Sequence, residues 1–391
     1  MTSTHQTALV ESPKTREISD AAIALALQRN LLPHRLRGGD AVEVASCYLP
    51  ADVDAGVGGD WFDVIPLSSA RVALVVGDVV GHGIDAAAAM GRLRTAVRTL
   101  ADLDLPPDEL LTHLDDSVQR MTEEDDDVLD EAPLVVGATC LYAVYDPVAG
   151  RCAMALAGHP PPAIIDPQGQ VTFPDLPSGA PLGLGLGLVP FETMEVELPE
   201  GSQLAFYTDG LVESRDQDID VGMQRLAAAL AQPDQSLEDL CSSVMETVPV
   251  QTLFDDVTLL LVRLRVLNTA QITSWDLPPE PAVVRTARHE VARQLSEWGL
   301  EHLVPTTELV VSELLTNAID HGDGPIRLRL IQHQVLTCEV FDRGNCYPRL
   351  GHARIDDENG RGLSLIAHLS RRWGFRSALD GKLVWVEQNL S

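Results

Sequence analysis

Apolar residues along this chain recur in two rhythms. Between about residues 41 and 265 they come in short runs rich in Val, Leu and Ala, at 42–48, 72–76, 138–145, 152–156, 203–207 and 257–264. Runs of that length, bounded by Gly, Pro and Asp, predict β-strands. Helical spacing interrupts them from 84 to about 100, from 107 to about 121, and over 223–230 and 237–248. Upstream, SDAAIALALQRNLLP at 19–33 has apolar residues at helical spacing with Ser19 or Asp20 as cap. Residues 1 to about 17 read as disordered.

A boundary falls near 265–280, where Pro278, Pro279 and Pro281 cannot continue a helix. Beyond it the pattern predicts long helices at 281–298 and 305–321, strands at 326–332 and 335–342, a Gly-rich loop, a helix at 362–369 and terminal strands. The expected organisation is a tail and linker helix (1–38), a first domain (39–266), a linker (267–279) and a second domain (280–391). Both domains read as α+β, the first built on packed antiparallel sheets.

Composition narrows the function classes. At 391 residues the chain suits two domains, and 45% hydrophobic residues allow real cores. The formal net charge of −30 argues against nucleic acid or an anionic membrane as partner, because a basic footprint is missing. The first residues lack the apolar core of a signal peptide, and no run approaches the roughly twenty apolar residues of a span. A cytoplasmic protein is expected. The six cysteines show no C-x-x-C spacing and read as reduced thiols, neither a disulfide framework nor a zinc site. The acidic tract EEDDDVLDE at 123–131 reads as a solvated loop.

Four aspartates carry the candidate chemistry: Asp60 in GGDWFDV, Asp78 in VVGDVVGHG, Asp209 in FYTDGLVES and Asp255 in FDDVTLLLV. Each sits at the end of an apolar run and close to glycine or a second acid. Carboxylates at strand ends with close backbone approach suit hard divalent cations. Several converging at one edge suggest a two-metal hydrolase. Asp256 stands next to Asp255 and competes with it for the same role. His82 and His159 read first as turn supports, with proton donation left open for His159.

These blocks, with AGHPPP at 157–162 and PLGLGLG at 181–187, occur in the order and spacing of the bacterial metal-dependent serine/threonine phosphatases. The chain resembles the type 2C (PPM) superfamily, in its SpoIIE/RsbU-type branch, over roughly 40–265. The resemblance implies a β-sandwich flanked by helices and two Mn²⁺ or Mg²⁺ ions. It implies that Asp78 bridges the metals with the Val79 carbonyl as a further ligand. Asp209 and Asp255 complete the site, and Asp60 holds its water. Hydrolysis without a phosphoenzyme follows from the same likeness.

In the second unit, TTELVVSELLTNAIDHG puts Glu313 and Asn317 one turn apart on one helix face. Then LTCEVFDRG ends a run at Asp342, and Gly360 and Gly362 precede a helix N-terminus, where backbone N–H groups can cradle phosphate. This order resembles the GHKL-type α/β sandwich of histidine kinases, and more closely the RsbW-type anti-sigma-factor serine kinases, over about 278–388. The likeness implies ATP with Mg²⁺ held by Asn317. Asp342 would accept the adenine amino group, Gly344, Gly360 and Gly362 would line the loop, and Glu313 would be the base. The chain departs from the family's D-x-G-x-G, because Cys346 stands where the second glycine belongs.

Together the two resemblances imply a regulator of bacterial partner switching. Its phosphatase would act on a phosphorylated, STAS-type anti-sigma-factor antagonist, with a sigma factor as a further candidate partner. The helix at 19–33 is the candidate homodimer contact. Two other readings stay open: a C-terminal unit that is an inactive docking scaffold, and hydrolysis of a small phosphorylated metabolite.

Overall fold

The computed structural model describes residues 33, 39–50, 58–81, 83–126, 137–184, 189–213, 218–232, 235–248, 255–344, 362–378 and 380–391. Of the expected helix at 19–33 only Pro33 is described, and His82, Cys346 and Gly360 lie outside the described residues.

The first unit runs β1 (Val42–Leu49), β2 (Trp61–Pro66), β3 (Val72–Val79), α1 (Ile84–Ala101), α2 (Pro107–Asp126), β4 (Ala138–Asp146) and β5 (Arg151–Ala157). It continues through β6 (Ala163–Ile165), β7 (Val171–Thr172), β8 (Ser178–Gly179), β9 (Met194–Glu197), β10 (Gln203–Tyr207), α3 (Ile219–Leu230), α4 (Leu237–Glu246) and β11 (Val257–Leu264). One sheet has the order β1-β11-β10-β6-β7; the other has β2-β3-β4-β5-β8, with β9 also on β5.

The two sheets face each other, and the strand sequences explain why. In β2 and β3, Phe62, Val64, Val72, Leu74 and Val76 point between the sheets, where they meet Leu204, Phe206, Leu260 and Val262. Their alternates Trp61, Ile65, Ala73 and Val75 point outwards, under Met90, Leu93 and Val97 of α1 and Leu110 and Leu114 of α2. On the far side, Val257, Leu259 and Leu261 of β11 pack beneath α3 and α4. Strands buried on both faces need apolar residues at every position, so they read as unbroken runs.

The second unit has β12 (Ile272–Leu277), α5 (Val283–Glu297), α6 (Val304–His321), β13 (Ile326–Gln332), β14 (Val335–Asp342), α7 (Gly362–Leu369), β15 (Arg372–Ala378) and β16 (Gly381–Asn389). Its sheet is antiparallel, in the order β12-β13-β14-β16-β15. Leu328, Leu330, Cys338, Val340, Val384 and Val386 face the helices. Arg329, Glu339 and Arg376 face away from them, towards the first unit.

That face closes on the first unit through charge. Glu339 is buried and accepts hydrogen bonds from Arg329 Nε (2.6 Å), Arg376 Nη2 (2.7 Å) and the Ser69 hydroxyl of the first unit. Arg376 also reaches Ser68 and Ser69 (3.1 Å each) and Asp104 (3.7 Å), and Arg71 pairs with Asp104.

Three expectations need correction. Residues 267–279 are not only a linker, because Ile272–Leu277 pairs along its whole length with β13. The prolines behind it masked a short half-buried alternation. The acidic tract is not loop from its start: α2 continues through Asp126. The cysteines are not all thiols, since Cys47 and Cys241 are joined, while Cys140, Cys152 and Cys338 are free and buried. That pairing spans 194 residues of sequence and left no local spacing to read.

Candidate active site

The sandwich topology brings the aspartates to one end. Asp60 precedes β2 and Asp78 lies near the end of β3, its neighbour, where Trp61 is paired with Gly77. In the facing sheet Asp209 follows β10, and Asp255 precedes β11, which pairs antiparallel with β10. Helix α1 leaves from beside Asp78. It is anchored to β2 by the buried Asp63, which accepts from Arg94 Nε (2.9 Å) and, through both oxygens, from Arg98 (2.6 and 2.7 Å).

One carboxylate oxygen each from Asp78, Asp209 and Asp255 lie within 4.8 Å of one another. Burial, then Asp255 and Asp209, push the Asp78 carboxyl up to about 8. Burial raises Asp209 and Asp255 as well, with Glu213 adding to the first and Asp209 to the second. Three acids pressed together against their own ionisation form a site that a divalent cation relieves. Their oxygen-only donor set fits Mg²⁺ or Mn²⁺.

Asp60 sits at the edge of this cluster. It is raised well above its ordinary range by burial and by Asp78 and Asp256. The Thr208 hydroxyl donates to it (2.8 Å) while accepting from the Thr258 N–H (2.9 Å). This relay joins the two sheets at the site. The Val79 carbonyl lies in the same corner: a Cβ on Gly59 would come 2.1 Å from it and 2.9 Å from an Asp78 oxygen. The close approach explains glycine at 59. A Cβ on Gly58 would collide with the Asp256 carboxylate at 1.4 Å.

Asp255 and Asp256 part ways here. Asp256 turns to Tyr48, whose hydroxyl donates to it, while its own N–H donates to Asp255 Oδ1 (2.8 Å). His159 is buried between the Thr139 hydroxyl at Nδ1 (2.8 Å) and the Tyr207 carbonyl at Nε2 (3.1 Å). Burial lowers its pKa to about 4, so it is a neutral tie between strand ends. The sequence reading missed Tyr48 and Thr208. Thr208, adjoining Asp209 in YTDG, was the one visible signal.

In the second unit Glu313 and Asn317 lie half-buried on α6. Asp342 is buried at the end of β14, where its Oδ1 accepts from Gly344 N–H (2.8 Å) and from Lys382 Nζ (2.9 Å). Gly344 packs on Gly322, with no room for a side chain: a Cβ would come 2.6 Å from the Gly322 Cα. Gly362 opens α7. Lys382 was not anticipated, although it stands directly across the ladder from Asp342.

A layered sandwich with a half-buried triad of aspartates at one end, followed by a helix-backed antiparallel sheet, defines a metal-dependent phosphatase joined to a histidine-kinase-like module. Comparison with known proteins agrees. The family model for stage II sporulation protein E (SpoIIE) matches residues 68–265, and that for the histidine kinase-like ATPase domain matches 277–387. The chain belongs to the SpoIIE family of serine/threonine protein phosphatases.

Among curated relatives, phosphoserine phosphatase RsbU of Bacillus subtilis is 27% identical over 264 residues, covering 63% of this chain and 71% of RsbU. RsbP of the same organism is 24% identical over 191 residues, covering 49% of this chain and 44% of RsbP. The crystal structure of the RsbU and RsbW domains of Rv1364c from Mycobacterium tuberculosis is similar at 27% identity and TM-score 0.51. It covers 89% of this chain and 94% of that one. The SiaA-PP2C domain of Pseudomonas aeruginosa shares the fold of the first unit at 20% identity and TM-score 0.52, over 65% of this chain and 99% of its own. Among the described residues no helix is long and apolar enough to cross a membrane.

Proposed function

We propose that the first unit removes phosphate from a serine or threonine of a phosphorylated, STAS-type anti-sigma-factor antagonist, within a partner-switching circuit. The observation that carries this reading is the triad Asp78, Asp209 and Asp255, drawn from three distant segments to within 4.8 Å. The relatives named phosphoserine phosphatases support the substrate class.

In this reading Asp78, Asp209, Asp255 and the Val79 carbonyl hold Mn²⁺ or Mg²⁺. Such cations polarise a phosphoryl group and make water acidic enough to act at neutral pH. Asp60, fixed by Thr208, accepts a hydrogen bond from the water and orients it. Gly58 and Gly59, by carrying no side chain, let the Asp256 carboxylate and the Val79 carbonyl close up against the chain there.

The second unit is proposed to bind ATP with Mg²⁺ through Asn317, Asp342 and Gly344, with Gly360 and Gly362 in the phosphate loop. Glu313 would be the base if it phosphorylates the antagonist, and a sigma factor is its other proposed partner. One observation favours a second reading, a docking scaffold that transfers no phosphate. Lys382 already occupies Asp342 Oδ1, so a base would have to use the other oxygen.

The test is Mn²⁺-dependent release of phosphate from a phosphoserine antagonist, with Asp78→Asn and Asp209→Asn beside the wild type. Both variants should fold and lose activity; hydrolysis surviving in both removes the metal-centre assignment. Titration of an ATP analogue with Mg²⁺ into the full chain and Asn317→Ala separates the two readings of the second unit. Binding lost in the variant supports the nucleotide site, and no binding at millimolar nucleotide supports the scaffold.

A further inference from the structure

The Cys47–Cys241 pair lies behind the metal-site corner. Cys47 belongs to β1, the edge strand of its sheet, and is half-buried; Cys241 is fully buried on α4. Their Cα atoms are 6.1 Å apart, within disulfide reach. Successive strand residues face opposite sides. Cys47 faces the helix layer, and Tyr48 faces the site, where its hydroxyl holds Asp256. Asp256 in turn donates its N–H to Asp255. One covalent bond therefore ties the strand that carries Tyr48 to the helix layer beneath it. Edge strands are the parts of a sheet most ready to open.

We propose that Cys47–Cys241 is a reversible thiol–disulfide modification site that sets how firmly the Asp255–Asp256 corner is held. Its consequence for metal affinity rests on the phosphatase reading above. The co-reactant is a low-molecular-weight disulfide of the glutathione type. Cys47, the more accessible member, attacks as thiolate, forms a mixed disulfide and expels one small thiolate. Cys241 then loses its proton and attacks Cys47 Sγ, expelling the second. Two protein thiols are oxidised, one small disulfide is reduced to two thiols, and the two protons pass to the leaving thiolates. Among the described residues the three other cysteines offer no rival, because each is fully buried and burial pushes its thiol far up; Cys346 lies outside the described residues, and peptide mapping reads it separately.

The test uses the full chain equilibrated in glutathione buffers of stepped ratio. Non-reducing peptide mapping reads the bond, hydrogen exchange reads the amides of β1, and calorimetry reads Mn²⁺ affinity. Oxidation should yield the linked peptide, slow exchange over residues 43–48 and tighten Mn²⁺ binding about tenfold, the lower end of what losing an outer support of a metal ligand costs. Cys241 is fully buried, so Cys47→Ser is the working variant, and reduced wild type is the second comparison. Cys47→Ser should match the reduced protein and ignore the buffer. No linked peptide at any ratio, or a linked peptide with unchanged β1 exchange, overturns the proposal. An exchange contrast without Mn²⁺ binding in either state supports the clamp and overturns the metal-centre reading instead.

Discussion

Replacing Glu339 by Gln should cost the protein about 3 kcal/mol at neutral pH, and the cost should vanish in acid. Burial alone would raise this carboxyl; Arg376, Arg329 and the Ser69 hydroxyl overcome it and hold it at about 2, against an ordinary 4.5. Each unit of pKa is worth about 1.4 kcal/mol, which gives about 3 kcal/mol. Breaking a buried ion pair costs roughly 3–5 kcal/mol, so two routes agree. The sign follows from the depressed folded value. The contribution is full above about pH 4.5 and is lost as pH falls towards 2, with about 1.4 kcal/mol left at pH 3. Urea unfolding at several pH values, followed by tryptophan fluorescence, measures it. Four of the five tryptophans, including the buried Trp385, are in the second unit and report on it. A wild-type-minus-variant gap that does not shrink with acid, or one under about 1 kcal/mol at pH 7, would refute the ionic account of this interface.

Gly59→Ala should fold yet lose Mn²⁺-dependent hydrolysis, because its Cβ would strike the Val79 carbonyl at 2.1 Å; near-normal turnover would show that the corner is not the working site. Thr208→Val removes the link between Asp60 and the Thr258 N–H; it should destabilise by about 1–3 kcal/mol and lower kcat more than it raises KM, and an unchanged kcat would separate Asp60 from turnover. Lys382→Met leaves Asp342 buried without its cation, and thermal unfolding should register a loss of roughly 3–5 kcal/mol. Nucleotide titration of the same variant, should it stay folded, would show tighter binding if Lys382 competes with the base for Asp342.

Strands β3, β4, β5, β10 and β11 were legible because they are buried on both faces along most of their length, so most of their positions are apolar. Asp78, Asp209 and Asp255 were legible because each breaks such a run at its end. What escaped was set by distance in sequence. Tyr48 meets Asp256 across 208 positions and Ser69 meets Glu339 across 270, and neither leaves a local pattern. Strand β12 escaped for another reason. It is a half-buried edge strand in front of a proline cluster, and its alternation is too short to stand out. The very short strands β6 to β9 hold their places by pairing, with too few residues each to show a period.

Strand β12 also changes how the two halves of the chain meet. Only residues 265–271 separate the end of β11 from its start. A segment that short keeps the partner faces at an effective concentration in the millimolar range or above. Within one chain a contact made of arginines, carboxylates and serines needs to win only against local fraying. The phosphatase and the kinase-like module thus form one body because their connection is itself part of a sheet. A cut at residue 280 would strip the second half of an edge strand.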